Sequence, residues 1–203
     1  MTNDTYNSVT QELIEKLKEA APGHVFVGDE ISEDYAHDEM PVYGKHMPDV
    51  LLMAESAEEI SAVMKLCNDN LIPVTPRGAG TGLVGGCVPV MRGVVIDTTK
   101  MNRILEYDTE NFSVRIQPGV LLQELADDCS KKGYLYPPDP GEKLATVGGN
   151  VSTNAGGMRA VKYGTTRDYV QAMQVVLPTG EITGFGAGVS KSSSGYSLLN
   201  LMM

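Results

Sequence analysis

Residues 76–86 read Pro76-Arg77-Gly78-Ala79-Gly80-Thr81-Gly82-Leu83-Val84-Gly85-Gly86. This is more glycine than a packing loop needs. Glycine allows positive φ and exposes successive N–H groups. A loop of that kind forms a nest for an anion, and Arg77 adds a cation or pins the loop to a neighbouring carbonyl. The residues leading into the loop decide where the nest sits. Val50–Ala54 is apolar and extended, Ser56 to Asn68 is helical with Ser56 and Glu59 spaced as a capping box, and 71–75 is extended again. Strand, helix and strand at this spacing predict a βαβ unit with parallel strands and a right-handed crossover. The glycine segment therefore leaves the carboxyl end of a parallel strand, where such units bind ligands.

Gly80, Gly82 and Gly85 match G-x-G-x-x-G, and Asp97 ends the next apolar run, as in a dinucleotide-binding Rossmann unit. The spacing excludes that fold. Only Cys87 to Arg92 separates Gly86 from Gly93, and this short proline-containing piece cannot build a crossover helix.

Downstream, 93–97, 104–107 and 113–117 read as short strands, and 121–132 reads as a helix stopped by Gly133. A hairpin is expected at 170–177 and 182–185, turning through Pro178-Thr179-Gly180. Between them lies a second cluster of small and polar residues: Gly148, Gly149, Asn150, Ser152, Thr153, Asn154, Ala155, Gly156 and Gly157. Glycines there would let backbone approach a flat ring or a diphosphate, and Asn, Ser and Thr offer directional hydrogen bonds. A glycine-rich loop at a sheet edge is the plainer reading.

Upstream, Ser8 is expected to open a helix with Gln11 in capping-box position and Val9, Leu13, Ile14 and Leu17 at helical spacing, ending at Pro22-Gly23. A short strand at 24–27 follows. The irregular acidic stretch after it reads as a surface connection. Residues 1–45 are thus expected to form a helical appendage and connection, and 46–203 the main domain.

The chain has 203 residues, 42% of them hydrophobic, enough for a real core. A formal net charge of −10, with no basic run, opposes nucleic-acid binding. No signal peptide or membrane-spanning run is visible, so a cytoplasmic location is expected. Cys67, Cys87 and Cys129 form neither a CxxC site nor a disulfide framework and read as buried thiols. His24, His37 and His46 lack ligand spacing and read as surface residues, so no metal site is expected.

From about Pro48 to the end, the stretches PDVLLMAESAEEISAVMKLC, PVTPRGAGTGLVGG, GGNVSTNAGGMRAVKYG and SKSSSGYSLLNL resemble one family, and Asp34–Asp38, DYAHD, is similar to what precedes the domain there. This is the PCMH-type FAD-binding domain of the vanillyl-alcohol oxidase and p-cresol methylhydroxylase superfamily. Within it, the glycolate oxidase subunit and D-lactate dehydrogenase branch is most similar.

The resemblance implies an α+β fold of two lobes around FAD, a small βαβ lobe and a larger, mainly antiparallel one. It implies that Arg77, Gly78, Ala79, Gly80, Thr81 and Gly82 wrap the diphosphate, with Pro76, Leu83, Gly85 and Gly86 in the same cofactor-binding loop. Gly148 to Asn150 and Ser152 to Gly157 would flank the ribityl chain and isoalloxazine, and Pro138 and Asp139 would border the same cleft. Covalent members often carry a histidine where Thr81 stands, so FAD is expected to be held without a covalent bond. The implied reaction is hydride transfer from a D-2-hydroxy acid of the glycolate or D-lactate type to the flavin, with reoxidation by a separate acceptor. The family keeps its substrate-positioning groups in a C-terminal cap domain. No catalytic residue is therefore assigned here, the FAD domain is expected to be incomplete at its C-terminus, and the chain is expected to be inactive alone. A non-catalytic nucleotide-binding or assembly module, and a reductase of the same fold using a nicotinamide donor, are the alternatives.

Overall fold

The structure, a computed structural model, describes residues 5–189, 191 and 193–203. Ser190 and Ser192 of the last family-like stretch lie outside the described residues, as do the first four residues of the chain. The chain divides into two compact units: Met1–Lys100 with Val176–Thr183, and Met101–Val175 with Gly184–Met203.

The first unit is built on a four-stranded sheet of β1 (Val25–Val27), β2 (Val50–Met53), β3 (Val74–Arg77) and β4 (Val94–Asp97), in the order β1-β2-β4-β3. β4 pairs in parallel with both β2 and β3, and β1 joins β2 antiparallel. Every residue of β4 is buried, as expected of a central strand covered on both faces. β3 carries Pro76, which lacks an N–H and is tolerated because the strand lies at the sheet edge. Helices α1 (Gln11–Ala20) and α2 (Ala57–Asp69) pack together, burying Leu13 and Leu17 from one and Val63 and Cys67 from the other.

Two expectations change here, and the sheet order adds a detail. The helix opens at Thr10, whose hydroxyl accepts from Leu13 N, so Ser8 and Gln11 form no capping box. Ser56 does cap α2 through Glu59 N, but the Glu59 carboxylate turns to Glu55 N and His24 instead of closing the box. The two strands of the βαβ unit are parallel but not neighbours, because β4 inserts between them. The β3 to β4 crossover is residues 78–93, the glycine loop itself, with no helix in it.

The acidic stretch after β1 is not a free surface connection. It folds into single 3-10 turns at Gly28–Glu30, Glu33–Ala36 and Pro41–Tyr43, and Ile31 and Tyr35 pack with Leu51 and Val95 of the sheet. Within this unit the turn at Gly180 also reaches α2, where Ser61 Oγ donates to Gly180 O at 2.5 Å.

In the second unit, β5 (Ile104–Asp108) and β6 (Ser113–Ile116) form an antiparallel hairpin with a register irregularity between Ile104 and Glu106. Helix α3 (Leu122–Lys131) packs Leu125 and Cys129 with Val120 and Val147, and Tyr107, Tyr134 and Tyr136 close around them. Its last turn is followed by Gly133 at φ 81°, the left-handed residue that ends many helices. Short helices α4 (Val147–Ser152) and α5 (Ala160–Tyr163) follow, then the hairpin of β7 (Ala172–Val176) and β8 (Ile182–Gly186), whose turn and adjoining strand ends, Val176–Thr183, count with the first unit, and finally α6 (Leu199–Met202). Among the described residues, no helix is long and apolar enough to cross a membrane.

Candidate functional site

Arg77 ends β3 and is buried, at 8% exposure. Its guanidinium does not face solvent. Nη2 donates to Asp34 O at 2.7 Å, and Nη1 donates to His37 O at 2.8 Å and Cys87 O at 3.4 Å. The group also lies 5.3 Å from the centre of the Tyr35 ring. Of the two roles open to it in the sequence, the geometry shows the loop anchor. Tyr35 Oη in turn donates to Asp97 Oδ2 at 2.6 Å, and Asp97 Oδ1 accepts Thr99 N at 2.6 Å. Burial and that hydrogen bond push the Tyr35 hydroxyl well above its ordinary range. Asp97 therefore locks the end of the sheet rather than awaiting a ribose.

The loop after Arg77 is held at two further points. Gly82 O accepts Glu39 N at 3.1 Å, and Gly85 N donates to the buried Asp38 carboxylate at 2.7 Å. At Gly80, φ is +77°, and a Cβ would fall onto the Arg77 guanidinium, 2.7 Å from Cζ. Only glycine fits there. Among the described residues, the N–H groups of residues 78–84 meet no protein acceptor. Leu83 and Gly86 are exposed, while Gly78, Thr81 and Gly82 are half-buried. An irregular loop with its amides unspent is the local chemistry of an anion nest.

In the second unit, the 148–157 cluster is helical at its start rather than a sheet-edge loop. Thr146 caps α4 through Gly149 N, while Gly148 N donates to Pro118 O at 2.8 Å. Ser152 and Thr153 return their hydroxyls to the carbonyls of Gly148 and Gly149. Asn154, at φ 48°, accepts Arg167 N, and Ala155 O accepts both Thr166 N and its hydroxyl. Gly157 bridges to Asp139, whose carbonyl occupies the place of a Cβ. The Asp139 carboxylate joins Lys143 and lies 3.0 Å from Arg159 Nε, and the Lys143 hydrogen bond with both positive charges holds it below the usual carboxylate range. Pro138 is buried beside it, and Gly156 makes only ordinary contacts. Asn150 is 4% exposed, and among the described residues its Nδ2, like Arg167 Nε, has no hydrogen-bond partner. A buried amide donor left unpaired costs about 1–3 kcal/mol, and a bound acceptor would relieve it.

Residues 48–186 match the model of the FAD binding domain family. The chain belongs to that family. FAD is accordingly its cofactor, and the unspent amides of the glycine loop suit a group rich in acceptors.

This FAD binding domain is 69% identical over 203 residues to D-lactate dehydrogenase of Anaerostipes hadrus, covering 100% of this chain and 43% of the relative. It is 41% identical over 170 residues to glycolate oxidase subunit GlcD of Bacillus subtilis, covering 83% and 36%. The chain thus spans less than half the length of these curated relatives. Among solved structures it is similar to p-cresol methylhydroxylase with substrate bound, at TM-score 0.78 and 26% identity, covering 97% of this chain and 42% of that one. The α+β fold of that superfamily is the fold of this chain.

Other expectations meet mixed outcomes in the domain. Cys67 and Cys129 are buried, but Cys87 is only half-buried, with Sγ 3.5 Å from Arg77 Nη1, because it closes the glycine loop instead of entering a core. The three histidines are half-buried rather than on the surface: His24 sits against Glu59 and Glu55, His37 lends its carbonyl to Arg77, and His46 Nε2 lies 3.1 Å from Tyr43 O. Among the described residues, no group of three or more His, Cys, Asp or Glu is arranged to hold a metal ion. Sequence reasoning missed Asp38, Tyr43, Lys143 and Arg159. DYAHD offered a resemblance but no chemistry, since Asp34 and His37 act through backbone carbonyls that have no side-chain signature.

Proposed function

We propose that this chain is the FAD-holding portion of an oxidoreductase that oxidises a D-2-hydroxy acid of the D-lactate or glycolate type. The observation that carries the reading is the loop of residues 78–84, whose amides find no acceptor among the described residues. The D-lactate dehydrogenase and glycolate oxidase names of the relatives support the substrate class. When bound, FAD supplies an acceptor for the hydride of the substrate's carbinol carbon.

The chain's own residues bind and orient. Gly78 to Gly82 would hold the diphosphate through backbone N–H groups, which need no net positive charge on the protein. Arg77 acts one step back, fixing the loop through three carbonyls. Asn150 would donate to a polar atom of the cofactor, and Gly149, Ser152, Thr153 and Gly156 would flank it. Pro138, Asp139 and Gly157 form the wall behind this cluster through the Asp139–Gly157 bridge. The residues that position the acid and take up its hydroxyl proton are proposed to lie outside these 203 residues, so the chain alone gives background turnover for want of oriented groups.

Calorimetric titration with FAD tests the reading. Stoichiometric binding to the wild type, weakened at least about tenfold in Arg77→Ala through loss of charged hydrogen bonds, is the expected result. Equal affinity in the two proteins removes the loop from the cofactor site.

A further inference from the structure

The glycine loop is shaped from outside itself, by the acidic stretch that precedes β2. Residues 34–43 reach it at four places. Asp34 and His37 receive the two ends of the Arg77 guanidinium, Glu39 N holds Gly82 O, and the Tyr43 ring covers Gly85, where a Cβ would come within 2.8 Å of the ring. The fourth is Asp38. Its side chain is 5% exposed, with Oδ2 accepting Gly85 N at 2.7 Å and Oδ1 accepting Met40 N at 2.9 Å. One buried carboxylate thus ties the far end of the loop, at a glycine with φ +73°, to the start of the third 3-10 turn.

A buried negative group is an odd choice beside a loop that receives an anion. Its Coulomb effect opposes the ligand, so its benefit must be geometric. A neutral amide could accept one of these two N–H groups but would turn its own N–H₂ toward the other. A carboxylate alone accepts both without adding a donor.

We infer that Asp38 is a positioning residue of the FAD site: by fixing Gly85 and Met40 together, it holds residues 78–84 in the conformation that leaves their amides free for the cofactor. This inference rests on the reading of the loop as the diphosphate site. Charge and geometry predict opposite signs for Asp38→Asn. If charge dominated, removing it would tighten binding of an anionic cofactor; if geometry dominates, binding weakens.

The test uses the full chain, with FAD affinity measured by calorimetry well below the melting temperature and the amide resonances of residues 78–84 followed during the titration. The wild-type loop amides should shift on adding FAD, and Asp38→Asn should bind at least about tenfold more weakly while still folded. A merely structural role would lower the melting temperature of the free protein and leave the affinity of the folded fraction unchanged. Should Asp38→Asn not fold, Tyr43→Ala loosens Gly85 from its other side and should weaken FAD in the same way. Shifting wild-type amides with unchanged or tighter binding in the variant that folds overturns the inference. Wild-type loop amides that ignore bound FAD overturn the cofactor reading beneath it, and the inference with it.

Discussion

Replacing Gly80 by alanine should damage this protein more than any other single methyl added to the glycine loop. Two costs combine. Gly80 has φ +77°, and an L-residue in the left-handed region costs about 1–2 kcal/mol. The new Cβ would also fall onto the Arg77 guanidinium, 2.7 Å from Cζ, so the group must leave its place. That guanidinium is buried and bonded to Asp34 O at 2.7 Å, and giving up one hydrogen bond of a charged donor costs about 1.5–3 kcal/mol. Together these come to roughly 3–4 kcal/mol, or roughly 10 °C in melting temperature for a chain of this size. Gly86→Ala is the internal control. It lies in the same loop at a φ outside the left-handed region, with nothing within 4 Å of its Cβ, so its effect should stay within about 0.5 kcal/mol. Differential scanning calorimetry of both variants without FAD decides it. A Gly80→Ala midpoint within about 2 °C of wild type would refute the claim that Arg77 is fixed beneath the loop.

Asn150→Leu removes a buried donor that has no partner among the described residues, so the free protein should be as stable as wild type or gain about 1 kcal/mol, while FAD affinity falls roughly tenfold; melting curves and titration, run together, check both signs. Burial pushes the Cys67 thiol up to about 12 and the Tyr136 hydroxyl up to about 12, so the folded state keeps protons that the unfolded state gives up. Stability from these groups is complete below about pH 9 and is lost progressively toward pH 12, and a melting temperature that stays flat across that range would contradict it. Acid precipitation of the FAD-loaded protein should release all flavin to the supernatant, since Thr81 and the loop-closing Cys87 provide no linkage; mass spectrometry of the pellet detects any that remains.

The local elements were legible in the sequence because their signals are local. Ser56 caps α2, Gly133 ends α3, Pro178-Thr179-Gly180 turns the last hairpin, and the glycine-rich run leaves a parallel strand. The missing room for a crossover helix after Gly86 ruled out the Rossmann unit, and the β3 to β4 connection is indeed loop throughout. What only the tertiary structure decided was partnership across the chain. Val94 to Ile96 is equally apolar whether it sits at a sheet edge or between β2 and β3, so its central place cannot be read from its pattern. The acidic stretch of residues 29–49 looks like a connection because its Pro, Gly and charge content is that of one. It becomes the clamp of the glycine loop because a buried guanidinium must find acceptors, and the carbonyls of Asp34 and His37 are the acceptors that folding brings to it. A backbone carbonyl is the same in every residue. Its use is fixed by position in space alone, and so it leaves no mark in the order of side chains.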